Sequence, residues 1–484
     1  MSPTLLLVLR LSLLLLFFLA CLLLERRDKR LYVVLLVLGV VVLDGALYPN
    51  SNAKAVESIF HPNLMGQNFR LVQLLIPLAL MAALLVRGIP RRWDGSAIFW
   101  FAFFGWVLAE AVVGLLAGHT PKYVFGEGAV IVQLGGAMLL AAGVPAEDYV
   151  NRPALRRFLQ ASAVVAVVLF VTDVMEIRFT SNTIPDLPLQ EAGTIGADSA
   201  TVLTSLGVLA LVMGVARPRH LGRRAVLIIP AALLILSHLA STQRAARLGL
   251  YVSLLVVLVI ACLPTARRRL SFSLGQVGFA AACLAAIGFG MVFVPAVVNA
   301  AAPQTVVAAP DTDRFAPTSR QGSIQSRFNQ WEVVRGRIAE RPLTGEGLGG
   351  TFLSFDEGDN AYVETNISHN IALDVIRRTG AVGAVLGVSA LLAVLAQAIL
   401  TWRFHPNTQV AALAAATIAV TAGLLAKGMV ESILEKHRLA VLLGVVLGIA
   451  ISCYRSGSGR LGLQRALGPV EESRAVPVGA DSAR

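Results

Sequence analysis

Charge is scarce in this chain, and lysine more so: 14% of its 484 residues are charged, and five of them are lysine. That is too little to cover the surface of a soluble protein of this size. Cysteine is also sparse, and Cys21, Cys262, Cys283 and Cys453 all fall in or at the ends of apolar blocks without Cys-x-x-Cys spacing. Neither a disulfide framework nor a metal site follows from them, and no other feature calls for a metal or a cofactor. Short alternating strands of the kind that build a membrane barrel are missing as well.

Apolar residues are abundant, at 56%, and they come in blocks of about 17 to 25, the length that crosses a bilayer core. The chain therefore reads as an all-α polytopic membrane protein with about 12–13 transmembrane helices and one large external loop. Spans are expected near 4–24, 31–48, 71–87, 97–117, 124–143, 158–175, 199–216, 225–240, 247–263, 275–298, 379–401, 408–426 and 437–454. Every second connection is basic, as in "ERRDKR", "RGIPRRW", "NRPALRR", "RPRHLGRR" and "PTARRR". By the positive-inside rule those connections face the cytoplasm, which puts the amino terminus outside and the carboxyl terminus inside. The net charge of +12 goes largely to orientation and to contact with anionic membrane lipids, and gives no reason to expect nucleic acid. Arg10, inside the first span, is expected to snorkel to the interface.

Four regions follow: helices one to ten over 1–298, a large external loop over 299–368, which the family resemblance given below makes periplasmic, a re-entry helix with the last three spans over 369–454, and a disordered tail over 455–484. In the loop, "SIQSRFNQWEVVRGRIAERP" places Ile324, Phe328, Trp331, Val334 and Ile338 at helical spacing, and Pro342 ends the pattern. An amphipathic helix, a glycine-rich turn over "LTGEGLGGTF", and a helix opening near "HNIALDVIRR" with Ser368 or Asn366 as its cap are predicted.

Some charges resist a purely structural explanation. Arg244 and Arg247 sit in a short outer turn, "STQRAARLG", where the positive-inside rule disfavours them. The long loop carries Arg314, Arg320, Arg327, Arg335, Arg337 and Arg341 but no lysine. A guanidinium is a planar fork suited to phosphate oxygens, so these arginines point to a phosphate at the outer face. Arg335, Arg337 and Arg341 have a plainer reading as solvated or ion-paired groups, with Glu332 and Glu340 as partners. His369 ends the wet loop where a helix enters the membrane, and a neutral imidazole there can take a proton from a sugar hydroxyl. Asn370 suits a cap or scaffold. Gly345, Gly347, Gly349 and Gly350 permit a sharp turn or close backbone approach, without the lysine of a nucleotide-binding loop.

Together, "STQRAAR" in an outer turn, "SRFNQWEVVRGRIAERPLTGEGLGG" in a large outer loop and "SHNIALDVIRRTGAVG" at re-entry resemble the bacterial O-antigen ligase and polymerase superfamily. The resemblance covers roughly residues 190–400 and falls on Arg244, Arg327 with Trp331, Pro342 to Gly349, and His369, Asn370 and Leu373 with Gly380 and Gly383. One element departs: Gln190 and Glu191 stand where relatives of the resembled family carry an arginine, and Asp198 stands near the usual asparagine, so either Arg178 substitutes in space or the donor is bound differently.

The resemblance implies a GT-C-like, metal-independent, inverting glycosyltransferase of the bacterial inner membrane. Its donor would be a glycan on undecaprenyl pyrophosphate, and its acceptor the lipid A core or another glycan. Arg244 and Arg327 would stabilise the pyrophosphate and His369 would activate the acceptor. Substrate binding is assigned to Arg247, Arg320, Arg335, Trp331, Gly345, Gly347 and Asn370. A lipid-linked oligosaccharide flippase is the alternative from another class, and Asp44, Glu110, Glu127 and Asp173 are the charges that could line its path.

Overall fold

The structure, a computed structural model, describes residues 3–46, 63–64, 67–68, 71–88, 95–179, 197–216, 221–236, 244–263, 317–356 and 361–466. Among them the elements run α1 (Pro3–Arg26), α2 (Arg30–Ala46), β1 (Asn63–Leu64), β2 (Gln67–Asn68), α3 (Leu71–Arg87), α4 (Gly95–Leu116), α5 (Pro121–Ala142), α6 (Ala146–Asn151) and α7 (Pro153–Phe179). They continue with α8 (Ala197–Val215), α9 (Leu221–Leu236), α10 (Arg244–Cys262), α11 (Pro317–Glu340), β3 (Phe352–Asp356), β4 (Ala361–Thr365), α12 (Ile371–Phe404), α13 (Thr408–Gly428) and α14 (His437–Ala466). Eight of the described helices are long and apolar enough to cross a membrane, and three shorter apolar stretches, Arg30–Leu43, Gln73–Arg87 and Ala225–Leu236, accompany them. The chain is an all-α polytopic membrane protein. The span expected at 275–298 lies outside the described residues.

The helices pack through small side chains. Where α10 meets α13, a Cβ on Gly249 would stand 2.8 Å from the carbonyl oxygen of Gly423, so a larger residue would force the two backbones apart. This crossing brings the first turns of α10 against the last turn of α13, beside Lys427. Many leucines and valines of α1, α4 and α7 are exposed while α8, α13 and α14 are mostly buried, so the latter form the centre of the bundle.

Helix α12 runs for 34 residues and breaks at Gly380, whose φ of 64° and ψ of −174° are not helical. The loop repairs the break: Pro342 O accepts from Ala381 N at 2.8 Å and Leu343 O from Val382 N at 3.3 Å. Carbonyls that would have been lost partners in an apolar setting are thus replaced from outside the helix. The bundle end from which α12 starts, and to which the loop is bound, is called the loop end below.

Two expectations need correction. Segment 341–370 holds an antiparallel hairpin that the sequence reading left out, with Phe352 paired to Thr365 and Phe355 to Tyr362. Its inner face buries Phe352 and Ser354, whereas Leu353 and Tyr362 point outward. The buried face of α11 includes Ser326, Gln330 and Val334, while Phe328 is exposed and packs edge-on against Trp331 at 5.4 Å. The tail expected to be disordered from 455 instead continues α14 to Ala466.

Candidate functional site

The glycine-rich turn is a wedge driven into the bundle. Residues 345–350 are buried, and their backbone and side chains engage three helices. Leu348 N donates to Glu110 O at 3.1 Å in α4, Gly349 N donates to Glu127 Oε2 at 2.8 Å in α5, and Glu346 N donates to Arg377 O at 2.9 Å in α12. Glycine is required at Gly347, whose φ is +87° and whose Cβ would stand 2.6 Å from Gly114 N. At Gly345 the matching space is filled by the α12 backbone.

Two buried arginines in α12 lock the wedge to the re-entry turn. Arg377 is fully buried, pairs with Glu346, donates to Gly350 O and Asn366 O at 2.8 Å each, and lies over the Phe352 ring. Arg378 donates to Asn366 O at 2.9 Å and pairs with Glu127 at 3.0 Å. Glu127 also accepts from Asn366 Nδ2 at 3.0 Å. Charges this deep are tolerated because each is paired and hydrogen-bonded. Glu127, one of the charges considered for a transport path, is thereby committed to the fold. Glu110 is buried with one carboxylate oxygen unbonded, and the side chains of Asp44 and Asp173 lie outside the described residues.

The turn carrying Ser368, His369 and Asn370 is held from all sides. Ser368 N donates to Asp374 Oδ1 at 3.1 Å, Ser368 Oγ donates to Asn370 O at 3.2 Å, and Trp331 Nε1 donates to Ser368 O at 2.8 Å. Asn370 caps α12: its side-chain oxygen accepts from Ala372 N and Leu373 N, and its Nδ2 donates to Met429 O at 3.0 Å. The cap is therefore Asn370, not Ser368 or Asn366, because those two are engaged elsewhere. Between them His369 has a φ of 55°, a costly conformation for a residue with a Cβ. Strain of this kind persists where its surroundings over-determine it.

His369 is half-buried. Burial, then the Arg327 guanidinium and Lys436, push it below the usual imidazole range, and Glu431 and Asp374 oppose them. The lowering favours the neutral ring that a proton acceptor needs. Arg327 reaches the same place from α11 and donates to Val430 O at 3.1 Å, the residue after the one Asn370 holds. Arg327, His369 and Asn370 thus converge on the end of α13, against which the start of α10 also packs.

The remaining sequence candidates are distributed as follows. Arg244 opens α10 and Arg320 lies in the first turn of α11, but the side chains of both lie outside the described residues. Arg247, half-buried, is one turn into α10. Arg335 is exposed on α11. Trp331 positions the turn through its indole N–H. Arg337 pairs with Glu346 at 3.6 Å and not with Glu332 or Glu340, because the wedge brings Glu346 to it. Arg377, Glu346, Lys427 and Glu431 escaped the sequence reading. The adjacent arginines just before the Gly380 break were a usable signal, since they precede a span at the end expected to be poor in cations.

In comparisons with known proteins, residues 229–388 match a family model described as O-antigen ligase. That interval contains Arg244, Arg327, Trp331, the glycine wedge, His369 and Asn370. No curated protein matches the chain.

Proposed function

Given that the chain belongs, through residues 229–388, to the O-antigen ligase and polymerase superfamily, we propose that it is a membrane glycosyltransferase acting on a glycan carried by undecaprenyl pyrophosphate. The acceptor is the lipid A core or another glycan, and the loop end faces the periplasm of a bacterial inner membrane. The observation that carries this reading is the meeting of a guanidinium, Arg327, with a strained neutral imidazole, His369, at the end of α13.

Each group has a step. One of Arg327's N–H donors is given to Val430 O, and the rest of its fork is available to hold pyrophosphate oxygens with Arg244. The acceptor hydroxyl oxygen attacks the anomeric carbon from the face opposite the pyrophosphate, and its proton passes to His369. The bond from carbon to pyrophosphate oxygen breaks, configuration inverts, and the charge left on the pyrophosphate is met by the arginines. Arg247 and Arg320 extend the cationic edge, and Asn370 and Trp331 hold the imidazole in place.

The test uses purified protein in lipid nanodiscs, an undecaprenyl-pyrophosphate glycan, and either lipid A core or a second lipid-linked glycan. Mass spectrometry is expected to find one added block on the core for a ligase, or a ladder of repeats for a polymerase. Movement of the intact lipid between leaflets without any transfer product would contradict the proposal and favour a flippase.

A further inference from the structure

Lys427, in the last turn of α13, is the one fully buried lysine among the described residues. Its ammonium lies 3.3 Å from Asp198 Oδ1 in the first turn of α8 and 3.2 Å from Glu431 Oε2 beyond the end of α13. A single carboxylate would suffice to compensate a buried ammonium. The second one, Glu431, directly follows the two residues whose carbonyls are clasped by Asn370 and Arg327. Arg438 of α14 donates to Ser199 Oγ at 3.3 Å, which ties α8 to the same corner.

We propose that Lys427 is a positioning residue for His369: it fixes Glu431 beside the re-entry turn and, shared with Asp198, tempers the negative charge that Glu431 presents to the imidazole. The inference rests on His369 being the base of the proposed transfer. The charged groups facing the imidazole are Arg327 from α11, Glu431 and Lys436 from the α13–α14 connection, and Asp374 from α12 itself. Of these, Glu431 is the carboxylate whose charge is shared with Lys427. With Lys427 in place the ring remains neutral yet has a nearby anion to stabilise it once it takes a proton.

Diethyl pyrocarbonate reacts with neutral imidazole only, so its rate at His369 against pH, read by peptide mass spectrometry, gives the titration midpoint without any substrate. In the intact protein, Lys427→Met is expected to raise that midpoint and Glu431→Gln to lower it, each by about half a pH unit or more. Lys427→Arg should restore the wild-type value. Midpoints unchanged in both variants, or moving in the same direction, would overturn the proposal. Should Lys427→Met fail to fold, Asp198→Asn and Glu431→Gln carry the test: both must lower the midpoint, Glu431→Gln more, and no change in either is a refutation. Midpoints that move as expected in a protein with no transfer activity would sink the glycosyl-transfer reading and leave this charge relay standing.

Discussion

Replacing Glu127 by glutamine removes one charge and no volume, and the geometry dictates a large effect. The two carboxylate oxygens accept hydrogen bonds from Gly349 N at 2.8 Å and Asn366 Nδ2 at 3.0 Å, and one of them pairs with Arg378 Nη2 at 3.0 Å. An amide has one oxygen and one NH2, so in either orientation its donor faces another donor. Arg378, which is 5% exposed, then loses the carboxylate charge it pairs with at 3.0 Å. Removing one partner of a buried pair costs about 3–5 kcal/mol. The loss falls on the contact between α5, the wedge and the re-entry turn, so opening of residues 341–370 should rise roughly 10²- to 10⁴-fold. Hydrogen–deuterium exchange of peptides from that segment measures it, with α13 and α14 as internal references. A folded Glu127→Gln protein whose 341–370 exchange stays within about threefold of wild type would refute the claim that this carboxylate fastens the loop.

Other outcomes follow from the same geometry. Asn370→Ala loses the cap on Ala372 N and Leu373 N and the bond to Met429 O, which should cost about 1–3 kcal/mol, speed exchange over 371–374, and lower the transfer rate. Gly380→Ala puts a Cβ onto the Leu343 carbonyl oxygen at a φ of +64° and should lower the thermal midpoint, whereas Gly336→Ala, which meets open space on α11, should raise it by up to about 1 kcal/mol of stability. Because the fold holds His369 below the ordinary imidazole range, the neutral base persists as pH falls through about 6.5 and is lost only below it. The associated stability is present above the unfolded-state value and is lost as pH falls through the lower folded-state value. A transfer profile whose acid limb lies above about 6.5 would contradict the assignment.

How legible this was depends on the range of the interactions involved. Apolar block length decides where helices run, and Leu71–Arg87 and Thr408–Gly428 lie where the sequence reading placed spans at 71–87 and 408–426. The hairpin was harder, because "FLSFD" puts Leu353 on the exposed face and so blurs the alternation that marks a strand. His369, Asn370 and Arg327 were singled out by residue type and position. What joins them was not, since Trp331 to Ser368, Arg327 to Val430 and Asn370 to Met429 are contacts made only by folding. The ion pairs of Glu127 with Arg378 and Lys427 with Asp198 link distant parts of the chain, and a charge inside an apolar block does not name its partner. The glycines of "GEGLGG" showed that a close approach was coming, but not that α4, α5 and α12 would be what they approach.

The most direct measurement of the central claim is a photo-crosslinking map made with an undecaprenyl-pyrophosphate glycan that carries a diazirine beside the reacting sugar. Labelled peptides identified by mass spectrometry should cluster at 327–331, 366–374 and 427–431, with label lost on competition by unmodified donor. Labelling spread over lipid-facing helices, or confined to the opposite end of the bundle, would contradict a reaction site at the end of α13.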